Sequence, residues 1–520
     1  MPAFLPCQKT GGDRYGLFTH VPNDKRRKPT GTRNSLSRQH QRSHALPVTA
    51  RRMEPGSGSC LAKPLTLAAM SLGYGVVQLD VTIVNTALNS IGNSLGGGVS
   101  ELQWVVSAYT VIFAALILTA GALGDRVGAK NIFMLGFAIF TAASLGCVLA
   151  PTSAILIAAR AVQGVGAAIL VPNSLALLSH AYPTDKERGR AVGIWAAGAS
   201  LALTAGPLVG GGLIELAGWR SIFLVNLPIG LGGLYLTWRY AADTRRTEQR
   251  FDLLGQAAAI AMLGLLASAL IEAGRIGWSN SWVISSFAAF IVLAVIFVWQ
   301  EGRACEPMLP MSLFKPRIFA LTSFVGLLVN VAFYGLIFIF SLYFQRISGW
   351  SSLATGLAFV PMMGAVLPVN LVAPRLAERF GAPVVIAAGA VITAVGCVAL
   401  LIIKPGTSYL SICIQLVAMG SGLGLLVPPL TSTLPGSVEK ARSGIAAGVL
   451  NSIRQTGSVL GVALFGSSVG QSKTFIAGTH EALIISAALL LIAAAAVSGE
   501  LFPRFLSGGN ANLRAKLGFR

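Results

Sequence analysis

Between residues 65 and 502 the chain is a succession of fourteen apolar runs of membrane-spanning length, separated by short polar turns. They fall at about 65–90, 101–123, 131–150, 153–179, 190–214, 221–241, 253–272, 281–300, 318–344, 353–374, 383–403, 408–433, 443–469 and 481–502. Hydrocarbon offers no water to backbone N–H and C=O groups, so apolar runs of about 20 residues must be helices that satisfy those groups internally. Composition agrees: 54% of the 520 residues are hydrophobic and 11% charged, against about 25% charged in a soluble protein. The expected fold class is an all-α polytopic membrane protein with both termini on one side.

The basic residues supply an independent check on the register of the spans. With the N-terminus in the cytosol, inner loops carry Arg126, Lys130, Lys186, Arg188, Arg190, Arg239, Arg245, Arg246, Arg250, Arg303, Lys315, Arg317, Arg375, Arg379, Lys440 and Arg442. Outer loops carry only Arg220, Arg275, Arg346, Lys404 and Lys473. That bias is the one expected of cytosolic loops, and a miscounted span would scramble it. The chain is therefore expected in the cell (inner, cytoplasmic) membrane, multi-pass, with both termini cytosolic.

The formal charge of +20 does not imply nucleic acid, because the Lys and Arg residues sit in loops rather than on a soluble basic domain. Cys7, Cys60, Cys147, Cys305, Cys397 and Cys413 form no C-x-x-C pair, so neither a metal site nor a disulfide framework is expected. No G-x-x-x-x-G-K-[ST] loop is present, which argues against an ATP-driven pump. Neither an enzyme nor a cofactor is expected.

Residues 1–64 carry 12 Lys/Arg against Asp13, Asp24 and Glu54, and are expected to be a disordered, basic cytosolic extension. Their Arg-rich, acid-poor makeup also has the character of an organellar transit peptide, and Met53 is an alternative start. Further on, Gly124-Asp125-Arg126-Val127-Gly128 returns in degraded form as Ala377-Glu378-Arg379-Phe380-Gly381, and Gly164-x-Gly166 before Val171-Pro172 returns as Gly422-x-Gly424 before Val427-Pro428. Such an internal repeat fits two six-helix bundles, 65–241 and 318–502, with two inserted helices and their loops at 242–317 and a cytosolic tail at 503–520.

Four segments carry the chemistry. The turn Gly121-Ala-Leu-Gly-Asp125-Arg126-Val-Gly128-Ala-Lys130 joins the second and third runs. Arg160-Ala-Val-Gln163-Gly164-Val-Gly166 lies in the fourth, Gly198 followed by Gly206-Pro207-Leu-Val-Gly210-Gly211-Gly212 in the fifth, and Leu79-Asp80-Val-Thr82-Ile-Val-Asn85-Thr-Ala-Leu in the first. An Arg inside an apolar helix costs about 2.5–3.5 kcal/mol on insertion scales and so normally has a partner or faces a polar cavity, unless it snorkels from near a helix end. A lone carboxyl among apolar helices can take a proton from one side and release it to the other. Burial equally favours a permanent bond to Arg160 or backbone.

Together these segments resemble the major facilitator superfamily, in its fourteen-span drug:proton antiporter branch, over nearly all of 65–502. The first turn is similar to the family's G-x-L-x-D-R-x-G-R-K signature, with Ala129 where a basic residue is usual. The fifth-run segment is similar to the antiporter signature G-x-x-x-G-P-x-x-G-G, with Ala202 in place of the first glycine; ordinary close packing of helices is the plainer reading. The Asp80 stretch is similar to L-D-x-T-[IV]-V-N-x-A-L-P, with Asn89 in place of Pro. Tyr109, Phe223, Asn226 and Asn451-x-x-Arg454-Gln455-x-Gly457 are further family-like positions.

The resemblance implies a major facilitator fold and a proton-coupled exporter of amphipathic drug-like or toxic compounds, hydrophobic or cationic, working by alternating access as a monomer. The proton gradient would drive it, with no cofactor. Asp80 and Arg160 would couple the proton. Gly121, Asp125, Arg126, Gly128 and Lys130 would form the inner gate, and Gly198, Gly206, Pro207, Gly210 and Gly211 the pivot. Asn85, Tyr109, Gln163, Arg454 and Gln455 are candidates for lining the substrate or coupling path. Arg454 could pair with Asp80, with a Glu near a helix end, or with substrate. An exporter of one metabolite, such as an amino acid, sugar or siderophore, is the alternative, and a non-transporting membrane sensor or scaffold a third reading.

Overall fold

The computed structural model describes residues 61–244, 253–303, 309–432, 443–471 and 474–516. Residues 1–60 of the basic extension lie outside the described residues, as do Arg245, Arg246, Arg250, Lys440, Arg442 and Lys473 of the charge count. Thirteen helices are long and apolar enough to cross a membrane. They are α1 (Ala62–Leu95), α2 (Val99–Val127), α3 (Ala129–Leu149), α4 (Ser153–Ala181), α5 (Asp185–Ala217), α6 (Ser221–Tyr240), α7 (Leu253–Ile276), α8 (Ser281–Glu301), α9 (Arg317–Ile347), α10 (Ser352–Phe380), α11 (Ala382–Ile402), α12 (Tyr409–Ser432) and, after the next, α14 (Phe475–Lys516). The remaining rod, α13 (Ser443–Gln471), is 29 residues long but too polar to be counted with them. Helix α14 runs on through most of the expected tail at 503–520, across Pro503 and Gly508-Gly509, as far as Lys516.

Packing divides the rods into two sets of six with the same neighbour scheme. In the first set α1 packs on α4, α5 and α6, while α3 packs on α4 and α6, and α2 on α4. Adding eight to each number gives the main contacts of the second set: α9 with α13 and α14, α11 with α12 and α14, and α10 with α12. The repeated turns obey the same rule. Gly128 (φ 104°) and Gly381 (φ 90°) both adopt a backbone region that L side chains rarely enter. Each donates its N–H to the carbonyl four residues back, Gly124 and Ala377, both at 2.9 Å.

The sets meet where α5 packs on α10, α2 on α13 and α1 on α9. Helix α7 lies over α2 and α13 together, fixed by Gln256, whose Nε2 donates to Ala115 O at 3.0 Å while its Oε1 accepts from Thr119. Helix α8 packs on α7 and is otherwise mostly exposed, as expected of a rod facing lipid. We refer to the end of the molecule carrying Arg126, Lys130, Lys186, Arg317 and Arg379 as the basic end and to its opposite as the far end.

Candidate functional site

Asp80 and Arg160 are brought together inside the first six-helix set. Arg160 Nη1 lies 2.5 Å from Asp80 Oδ2, with side chains 1% and 0% exposed. Gln163, three residues on along α4 and so on the same face, holds both partners. Its Oε1 accepts from Arg160 Nη1 at 2.6 Å, and its Nε2 donates to Asp80 Oδ1 at 2.9 Å and to Ser144 Oγ at 3.0 Å. Asn226 Nδ2 adds a bond to Asp80 Oδ1 at 3.1 Å and one to Ser144 Oγ at 3.3 Å. Arg160 Nε donates to Val105 O at 3.1 Å, and its guanidinium faces the Tyr109 ring at 4.4 Å. Gly164 permits this approach, since a Cβ there would sit 2.5 Å from the Tyr109 carbonyl.

The cluster thus draws on five helices, α1, α2, α3, α4 and α6. Asp80 accepts three hydrogen bonds from side chains. Breaking a buried pair of this kind costs about 3–5 kcal/mol, because the surviving charge has no water to turn to.

A second polar centre lies between the two sets. A small cavity, open on one side, is lined by Tyr74, Gln78, Phe113, Val171, Asn330, Tyr334, Asn451, Arg454 and Gln455, from α1, α2, α4, α9 and α13. Arg454 stands about 16 Å along α13 from Ser443, taking a rise of about 1.5 Å per residue. It faces this cavity and forms no pair with Asp80. Gln78 and Asp80 are two residues apart on α1, which turns them to opposite sides of the helix. One faces the cavity and the other the ion-pair cluster.

Of the expected lining residues, only Arg454 and Gln455 reach the cavity; Tyr109 and Gln163 belong to the ion-pair cluster. Asn85 is at the far-end seam, where its carbonyl accepts from Ser341 Oγ and its Nδ2 donates to Val81 O at 3.1 Å. Beside it Gln345 Nε2 donates to Thr86 O at 3.1 Å, Arg346 Nε to Asn89 Oδ1 at 3.3 Å, and the hydroxyls of Ser90 and Ser352 are 3.5 Å apart. Gln103 Nε2 donates across the same end to Val462 O and Ala463 O at 2.9 and 2.8 Å. At mid-depth Ser452 Oγ donates to Ala114 O at 2.7 Å.

The glycine segment of α5 touches both sets. Gly206 and Gly210 press on Thr82, Ile83 and Thr86 of α1. Gly211 and Pro207 press on α10, where an added Cβ at Gly211 would lie 2.5 Å from Ser352 O. Gly198 meets Ser71 of α1 only at ordinary contact distance, 3.9 Å. At the basic end, Gly121 and Gly124 lie against Pro172 and Asn173 of α4, so the Asp125-Arg126 turn is seated on that helix, with Gly128 and Lys130 beginning α3.

Sequence reasoning passed over Ser144, Tyr74, Gln78, Asn330 and Tyr334. A signal was present for four of them. Tyr74/Gln78 and Asn330/Tyr334, like Asn451/Gln455, are polar pairs four residues apart in mid-span, a spacing that places both members on one face of a helix. Ser144 carries no such mark.

With the fold and both centres described, comparison with known proteins gives a family. The sequence profile of the Major Facilitator Superfamily matches residues 70–462. A methylenomycin A resistance protein of Bacillus subtilis (strain 168) is 36% identical over 429 residues, 82% of this chain and 92% of the relative. The multidrug resistance protein Stp of Mycobacterium tuberculosis (strain CDC 1551 / Oshkosh) is 38% identical over 404 residues, 78% of this chain and 75% of the relative. A bacterial homologue of the human lysosomal transporter Spinster, solved in an inward-facing and unoccupied conformation, superposes with a TM-score of 0.59 at 17% identity, covering 85% of this chain and 97% of that one. That likeness bears on the fold alone. The chain belongs to the major facilitator superfamily and groups there with drug-efflux transporters, a multi-pass membrane transporter rather than an enzyme.

Proposed function

We propose that this protein exports amphipathic small molecules from the cytosol by rocking its two six-helix sets about the central cavity, with protons moving inward in exchange. The observation that carries the reading is the polar cavity on the seam between the sets, with the hydrogen bonds of Asn85, Thr86, Asn89, Ser90 and Gln103 joining the sets beyond it at the far end. Charge bias supports a cytosolic location for the basic end and both termini. The outer side is then the closed one. The relatives' names, resistance and multidrug resistance proteins, support drug-like cargo over a single metabolite.

Coupling is assigned to Asp80 and Arg160. Helix α1 carries Asp80 on one face and Gln78 on the cavity side, so cargo that shifts α1 also strains the pair. A proton arriving at Asp80 would release Arg160 from it. The gate is assigned to Asp125 and Arg126, and the pivot to Gly206, Pro207, Gly210 and Gly211, which touch α1 on one side and α10 on the other.

Asp80→Asn is an unsuitable test by itself, because it strands Arg160 in the core at a cost of about 3–5 kcal/mol. The double variant Asp80→Asn/Arg160→Gln removes both charges and keeps the hydrogen-bonding amides. Reconstituted into vesicles with an imposed pH step, it should fold and exchange cargo downhill but fail to accumulate it. Accumulation equal to that of the unaltered protein would reject the coupling assignment.

A further inference from the structure

The fold treats its two intramembrane arginines differently. Arg160 has a counter-charge built in, Asp80, and a full set of partners around it. Arg454 is half-buried on the cavity wall, and among the described residues it has neither an ion pair nor a hydrogen bond. Among the described residues no carboxylate lines the cavity; its other polar groups are the phenols of Tyr74 and Tyr334 and the amides of Gln78, Asn330, Asn451 and Gln455. The amide of Asn330 is partly committed, donating to Gly326 O at 2.7 Å. Those of Gln78, Asn451 and Gln455 have no protein partner among the described residues.

A cation held unpaired in low dielectric is costly, and the cost is recovered when an anion arrives. The guanidinium fork matches a carboxylate through two parallel hydrogen bonds. The aromatic rings of the lining are held in place. Tyr74 stacks on Trp195 with ring centroids 4.3 Å apart, and Trp195 Nε1 in turn donates to Ser174 Oγ at 3.1 Å. Tyr334 is set edge-on against Phe333 at 5.0 Å, and Phe113 completes the wall.

We propose that the cargo supplies the counter-charge of Arg454: the cavity takes an amphipathic organic anion, its carboxylate paired with Arg454 and flanked by Asn451 and Gln455, its apolar body between Tyr74, Phe113 and Tyr334. This rests on the cavity being the cargo site. It also departs from the hydrophobic or cationic cargo expected from family resemblance, since an ammonium group would meet the Arg454 charge with no acid among the described lining residues to offset it.

The test uses three probes of one shape, naphthaleneacetate, naphthaleneacetamide and naphthylethylamine, titrated by fluorescence anisotropy against the purified full chain in nanodiscs. The acid should bind about tenfold or more tighter than the amide, the range expected of a charge-assisted pair, and the amine more weakly than either. Arg454→Gln should bring the acid to the level of the amide, and Arg454→Lys should keep the preference for the acid at reduced strength. An amine as tight as the acid, an acid no tighter than the amide, or an Arg454→Gln variant that holds the acid unchanged would overturn the proposal and leave the cavity standing as the cargo site. Failure of all three probes to bind would instead remove the cavity as the cargo site, and this proposal with it.

Discussion

Arg160 and Arg454 are near twins in the sequence, each inside a transmembrane helix with a Gln and a Gly close behind, and they have opposite energetics. Removing Arg160 leaves Asp80 buried without its counter-charge, whereas removing Arg454 relieves a charge that no described residue pairs with. Arg160→Gln should therefore lower unfolding stability by about 3–5 kcal/mol, while Arg454→Gln leaves it unchanged or higher. Thermal unfolding of the purified variants in detergent decides this, and equal losses would contradict the distinction. That Asp80 and Arg160 matter was legible, because a lone acid and a lone base in apolar helices are each costly unless accounted for. Their pairing was one of several open choices. Gln163 and Asn226 stood in family-like stretches, but their part as brackets around the pair depends on helix faces, which a sequence apolar on every side does not mark.

Helices are where the sequence was most informative, and the exception is instructive. Apolar length and charge bias together marked all fourteen rods, yet α13 falls below the hydropathy of the other thirteen. Its Asn451, Ser452, Arg454, Gln455 and Thr456 depress the average because this helix lines the cavity, so low hydropathy marks the working helix. The far-end closure had no comparable signal. It depends on α9 ending in a widened π turn at Tyr343–Ile347, from which Gln345 and Arg346 reach α1, and π turns carry no sequence signature beyond their frequency at functional sites. If this end must open in each cycle, a cross-link there should stop transport. Ser90 and Ser352 have their Oγ atoms 3.5 Å apart, so cysteines at these positions would have to bring their sulfurs from there to the about 2.05 Å of an S–S bond. The Ser90→Cys/Ser352→Cys variant should lose export under oxidant and regain it with reductant, the single variants remaining active. Undiminished export by the oxidised, cross-linked protein would mean that this seam does not part.

At the scale of the whole molecule, the charge of the cargo and the charge of the proton become separable through the membrane potential. One elementary charge moved across 100 mV is worth about 2.3 kcal/mol, or about fiftyfold at equilibrium. Exchanging one outgoing anion for one incoming proton moves two charges in the same electrical sense, a neutral cargo moves one, and a monovalent cation moves none. An inside-negative potential should thus drive an organic acid outward twice as steeply as its neutral amide. In vesicles with the basic end facing the lumen, at a fixed pH difference, the logarithm of the naphthaleneacetate gradient should change with a lumen-negative potassium diffusion potential at twice the slope for naphthaleneacetamide. Removing the coupling pair by Asp80→Asn/Arg160→Gln should subtract one charge from each, leaving the acid with the slope of a single charge and the amide with none. Equal slopes for acid and amide in the unaltered protein would mean that the acid crosses in its neutral form, with Arg454 serving it only at the threshold. A slope of two in the double variant would mean that the proton travels elsewhere than through the Asp80 pair.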